Sequence, residues 1–185
     1  DVSKVIVDDY EGAFKATKHL IEMGYRRISH LAGPTYLSIA RERLRGYREA
    51  LAKHNIEFDE KIVIHGTLEE RSGAIGIKTL FELSDPPDAI FAINDPVAVG
   101  AHKEVIAMGL NIPDDIGITG FSNNPITELI DPPLTTIDQH GYKMGQEAIQ
   151  ILMDELNTIM EERKKFTRIV ETTLIVREST QRQIK

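Results

Sequence analysis

The chain has 185 residues, of which 41% are hydrophobic and 28% charged; it is long enough to bury a core of its own, and the mixture is that of a globular protein and not a disordered or fibrous one. With 22 Lys and Arg against 29 Asp and Glu it carries a formal charge of −7, which argues against a general affinity for phosphate backbones. It has no Cys, which removes a disulfide framework, a thiolate metal site and a cysteine nucleophile.

Short β-branched runs alternate with stretches of helical period. The runs are Val5 to Val7, Ile28 to Leu31, Ile62 to Ile64, Ala89 to Ile93, Ile116 to Ile118 and Ile169 to Val176. Apolar runs this short suit strands buried on both faces. Between them, Ala13, Thr17, Leu20 and Ile21 form one helical stripe that stops at Gly24, a good terminator. Ala40, Leu44, Tyr47 and Leu51 form a second, and Ile77, Leu80 and Phe81 a third before Asp85-Pro86-Pro87. Val97, Ala101, Val105 and Met108 form a fourth, with Asp95 expected as its N-cap and Pro96 in its first turn. The pattern predicts an α/β fold, an open parallel sheet with helices on both faces.

After Asp131-Pro132-Pro133 the rhythm changes. Leu134 to Gln139 reads as a short strand or linker. Tyr142 to Ile159 reads as a long helix, apolar around most of its girth, which wants partners on more than one side. Glu161 to Lys165 reads as a charged loop. No apolar run reaches the roughly 18 to 20 residues of a membrane span. The opening DVSKVIVDDY does not read as a signal peptide, so a cytoplasmic location is expected.

Few residues carry reaction chemistry. The 6 His residues form no HxxxH or HExxH pair, so no metal site is expected. Gly120-Phe121-Ser122 begins like a nucleophile elbow, but the closing Gly is missing. The first turn, Asp8 to Gly12, is acidic and would repel a phosphate. No cofactor and no catalytic residue are expected. In open parallel sheets, ligands sit at the carboxyl ends of the strands. The residues expected there are Thr35 to Ser38, Gly66 to Leu68, Asn94-Asp95 and Ser122-Asn123, with Arg41, Arg43 and Arg45 following in the second helix. Amides, hydroxyls and an Arg fork are suited to the hydroxyls of a small polar ligand; ordinary caps and turns would use the same residue types.

Six stretches in order, GAFKATKHLIEMGYRRISHLAGP, RERLRGYREAL, PPDAIFAINDPVAVGAHKEV, NIPDDIGITGF, PPLTTIDQ and LIVREST, resemble the effector-binding core of the LacI/GalR (lac-repressor) family of bacterial transcription regulators. The resemblance covers nearly the whole chain. It implies a type I periplasmic-binding-protein-like fold, mainly the C-terminal lobe, with the helix-turn-helix and most of the first lobe outside these residues. The implied division is 1–134 for the C-terminal lobe, 135–166 for a crossover and helix belonging to the first lobe, and 167–185 for a return strand and tail. The exposed face of the long helix is then an association liability.

The resemblance also implies an allosteric regulator, a repressor, that binds a sugar-like effector between its lobes and works as a homodimer, with operator DNA held by the helix-turn-helix. Carried over position by position, Arg43, Asn94 and Gln139 line the cleft. Phe91 matches a position where purine-binding members stack an aromatic ring, although a Phe in an apolar strand also reads as core. Leu68 matches a ligand-packing position. Ser122 stands where the family usually has an Asp. A serine is a weaker, neutral partner, and Arg43 is then expected to lack a countercharge, which points to a sugar acid or sugar phosphate. Val99, Lys103, Leu129 and Ile130 match the family's dimer contacts, although Leu129 and Ile130 could equally cover the sheet edge. Three other readings stay open: a periplasmic sugar-binding protein, an enzyme using Ser122, and a regulator that answers to a protein partner.

Overall fold

The computed structural model describes residues 2–158 and 165–182. Its centre is a four-stranded parallel sheet in the order β3-β2-β4-β5, made of β2 (Ile28–Ala32), β3 (Val63–His65), β4 (Ala89–Ala92) and β5 (Gly117–Thr119). Helices α1 (Asp9–Glu22) and α2 (Ser38–Lys53) cover one face, and α3 (Glu70–Phe81) and α4 (Asp95–Ala107) the other. The period-2 alternation of each strand feeds two cores. Ala89 and Phe91 join Ala13, Leu20, Tyr47 and Leu51 on the first face. Ile90 and Ala92 join Leu31, Ile77, Leu80 and Val105 on the second.

The order β3-β2-β4-β5 contains a reversal. From β2 the chain steps outward to β3, then returns past β2 to β4 and continues to β5. The helices leaving β2 and β4 therefore depart in opposite directions, and a crevice opens between the carboxyl ends of these two strands.

A second, smaller group holds β1 (Lys4–Val7), β7 (Thr167–Val170) and α5 (Gly141–Asn157). β1 and β7 pair in parallel, Lys4 with Thr167 through Val7 with Val170. Arg168 of β7 pairs with Glu147 of α5. Residues 4–7, which the expected division places with the C-terminal lobe, stand here beside the long helix: among the described residues β1 pairs with β7 alone. The predicted strand Ile169 to Val176 is two strands, β7 and β8 (Thr173–Ile175), and β8 pairs antiparallel with β6 (Thr136–Asp138). The chain thus passes between the two groups at Val7–Asp9, Asp138–Gly141 and Val170–Thr173.

The tail is bound into the larger group. Ser179 is fully buried; its hydroxyl donates to Ile118 O at 2.7 Å and accepts from Thr135 N at 2.8 Å. On α5, only Ile151 is buried, while Ile149, Leu152, Met153 and Leu156 are exposed, as the apolar girth predicts. Ile159, the expected end of that helix, and most of the loop from Glu161 to Lys165 lie outside the described residues.

Candidate ligand site

Arg43 sits at the crevice. α2 carries it inward, and its guanidinium meets three different elements. Nε and Nη2 donate to Asp9 Oδ1 at 2.8 and 2.6 Å. Nη1 donates to the carbonyl of Ile93, just past β4, at 2.5 Å. The flat face lies 3.5 Å from the Phe121 ring centroid, just past β5, a cation–π contact. The side chain is only 4% exposed. Burial lowers the guanidinium's proton affinity and the Asp9 carboxylate opposes this. Burial raises the Asp9 pKa, and Arg43 pulls it back down.

Asp9 overturns one expectation. Arg43 has a countercharge, supplied by the first turn of α1 and not by the position of Ser122. Asp8, beside it, caps α1 by accepting from Glu11 N at 3.1 Å. The acidic turn that repels phosphate is thus a helix cap and an ion-pair partner, and only the count of acids was legible in the sequence.

The neighbours of Ile93 and Phe121 complete the crevice. Asn94, not Asp95, caps α4. Its Oδ1 accepts from Val97 N at 3.0 Å and its Nδ2 donates to Leu68 O at 2.9 Å. Leu68 itself is half-buried and packs on the core. Asp95 is buried one residue inside the helix, where its carboxylate accepts from the Thr136 hydroxyl at 2.6 Å and Asn124 N at 2.7 Å. Ser122 and Asn123 both have positive φ, 128° and 53°. Ser122 Oγ accepts from Gln139 Nε2 at 3.3 Å, and Asn123 lies between Asp138 and Arg177.

Arg43, Asn94, Ser122, Gln139 and Leu68 are therefore gathered at one end of the sheet. Phe91 is not. Its ring is fully buried and stacked on His30, with centroids 4.6 Å apart, so it is core and offers no face to a ligand. Arg41 and Arg45 are spent elsewhere, Arg41 on the carbonyls of Thr35 and Tyr36 and Arg45 on Glu42.

The residues expected at a dimer contact divide. Leu129 is 79% exposed, whereas Val99 is only 5% exposed and has little surface to give a partner. Ile130 packs against the core, and Lys103 pairs with Glu70 at 2.7 Å. Among the described residues no cluster of His, Asp or Glu could hold a metal ion, and no helix is long and apolar enough to cross a membrane.

An open sheet with a polar crevice at its switch point, and a chain that crosses three times to a smaller group, defines a periplasmic-binding-protein-like α/β fold. Residues 17–180 match the periplasmic binding protein-like domain family. The HTH-type transcriptional repressor CytR of Escherichia coli K12 is 34% identical over 180 residues, 97% of this chain and 52% of its own length. The HTH-type transcriptional regulator CelR of Thermobifida fusca is 35% identical over 178 residues, 96% of this chain and 52% of its own. The solved structure of a transcriptional regulator CelR–cellobiose complex matches with a TM-score of 0.90 at 35% identity, over 96% of this chain and 54% of that one. A LacI family transcriptional regulator from Mycobacterium smegmatis matches with 0.89 at 30% identity, over 97% and 66%. The chain belongs to the periplasmic binding protein-like domain family and is homologous to LacI-family repressors; it spans about half the length of the curated relatives it matches.

Proposed function

We propose that this chain is the effector-sensing part of a cytoplasmic LacI-family transcription repressor, which holds a small sugar-like ligand between two lobes and thereby controls a helix-turn-helix carried elsewhere in the protein. The observation that supports this most is the placement of Arg43 at the switch point, beside Asn94 and Ser122. A guanidinium has five N–H donors, of which three are bonded here. The remainder, with the Asn94 amide and the Ser122 hydroxyl, offer the mixed donors and acceptors that ligand hydroxyls need. The relatives named above are regulators, one of them solved with cellobiose.

The mechanism is a population shift. A ligand moves the lobes only if it binds one arrangement more tightly, by about 5 kcal/mol for a near-complete switch. β6 and its loop are the levers: Asp95, Thr136, Asn123 and Asp138 tie the ligand loop to the crossover. Since Asp9 neutralises Arg43, a neutral sugar is the favoured effector over a sugar acid or phosphate.

Calorimetry on the full-length protein against neutral sugars including cellobiose, sugar acids, sugar phosphates and purines tests the reading. A saturable heat from a neutral sugar is expected, weakened about tenfold or more by Ser122→Ala or Arg43→Ala. Silence across the panel from folded protein overturns it.

A further inference from the structure

The Arg43 fork already has an occupant, and that occupant carries a charge. Asp9 takes the Nε and Nη2 edge through one oxygen. Its side chain keeps 12% of its surface exposed against 4% for Arg43, so Asp9 stands at the mouth and Arg43 behind it. The surroundings add to the negative side. Asp8 and Glu42 act on Asp9, and Asp95 acts on Arg43. Arg45, the next basic residue along the helix, is bound to Glu42 at 2.6 Å. Two carboxylates, Asp9 and Asp95, thus act on the one guanidinium, and two more, Asp8 and Glu42, stand near Asp9. In such a setting an incoming anion meets repulsion, while a hydroxyl can still use the free N–H groups.

We propose that Asp9 is the charge-selecting residue of this site, excluding anionic ligands from the Arg43 fork and reserving it for neutral, hydroxyl-bearing ones. This rests on the reading that the effector reaches Arg43. Asp9 selects by occupation as well as by field. An anion strong enough to displace it would leave a carboxylate without its partner in a partly buried place, and such unpaired charges are costly.

Inorganic phosphate is the probe. It is titrated into the full-length protein, wild type, Asp9→Asn and Asp9→Ser, by calorimetry and by NMR of the arginine Nε–H signals. Asp9→Asn keeps an amide oxygen for Arg43, and Asp9→Ser leaves room for a phosphate oxygen. Phosphate affinity is expected to rise at least about tenfold in either variant, with the Arg43 Nε–H signal shifting, since a charge-assisted bidentate contact becomes available. The gain is expected to vanish in Asp9→Asn/Arg43→Gln. Wild type that binds phosphate as tightly as Asp9→Asn overturns the proposal, as does the absence of a gain in both variants, or a gain that survives Arg43→Gln. Unfolding of both variants also overturns it, since the pair is then a structural tie. A phosphate gain at Arg43 in a protein silent to every sugar would instead support charge selection while removing the sugar-sensing reading.

Discussion

The buried carboxylate of Asp95 accepts the Thr136 hydroxyl at 2.6 Å, and through this bond the first turn of α4 holds the crossover strand β6. Its other oxygen takes Asn124 N at 2.7 Å, so the loop carrying Ser122 and Asn123 is tied to the same point. Burial alone would expel this charge and raises its pKa; the hydrogen bonds from Thr136 and Asn124 work against that. Replacing Asp95 by Ala leaves a hydroxyl and a backbone N–H without acceptors. The expected loss is about 3 kcal/mol of unfolding free energy, read from urea denaturation. Thr136→Val removes the bond to Asp95 and the longer 3.3 Å bond accepted from Asn123 N, but leaves the Asn124 bond, and should cost less, about 1 to 2 kcal/mol. Equal losses from the two would contradict this account.

Much of this was legible in the sequence, and the misses share a cause. The stretch AIFAINDPVAVG gave strand, turn and helix because its periods switch within a few residues, yet the cap fell on Asn94 and not Asp95. Both are good cap residues, and only the turn's geometry chooses between them. The place of Arg43 at the strand ends was legible through the family's motif, but its partner was not. Asp9 is 34 residues away, and an acid in a first turn reads as a dipole partner for its own helix. The pairing of β1 with β7 was hidden for the same reason, since two short apolar runs carry no mark of each other. Phe91 needed depth, which periodicity does not supply.

His30 predicts an acid-sensitive core. Its Nδ1 lies 2.9 Å from Phe91 O, an acceptor only, so Nδ1 carries the proton. Nε2 has no partner. A second proton there would be a buried, unpaired charge, and burial accordingly pushes the pKa down to about 4 from 6.5. The folded state binds this proton less readily than the unfolded one. Stability is therefore full above about pH 6.5 and is lost as pH falls from there through about 4, by about 3 kcal/mol in all. His19 and His102 are also lowered by burial and add to the slope. Urea midpoints from pH 8 to 4 should show a shallower acid slope in His30→Leu than in wild type. An unchanged slope would place the acid sensitivity elsewhere.

Gly46 is where α1 and α2 touch. A Cβ there would lie 2.2 Å from Tyr10 O and 3.0 Å from Ala13 Cβ. The clash is with backbone, which cannot rotate away. Gly46→Ala should therefore cost about 2 kcal/mol or more, although Ala favours helix. Gly145, on α5, has nothing among the described residues within 4 Å of the same position, so Gly145→Ala should be neutral or stabilise by up to about 1 kcal/mol. Thermal melts of the two variants should move in opposite directions, or the Gly145 melt not at all; parallel losses would refute the close-approach explanation.

Leu129 tests the proposed dimer contact better than its neighbour. Ile130 and Leu129 follow the same 3-10 turn (Pro125–Glu128), but Ile130 packs on the core while Leu129 is 79% exposed. Ile130→Asp would set a charge on a partly buried side chain that packs on the core, and is expected to destabilise the domain whatever its assembly. Leu129→Asp puts the charge on the surface, next to Ile126, which is 40% exposed. Exposed apolar side chains together at a turn suit the centre of a contact, where a charge is poorly tolerated. The full-length protein is expected to be dimeric by light scattering at micromolar concentration. Leu129→Asp should shift it to monomer with its circular dichroism unchanged. A variant that stays dimeric would move the interface away from this turn, and Lys103, held by Glu70, would lose its reason to be counted in it.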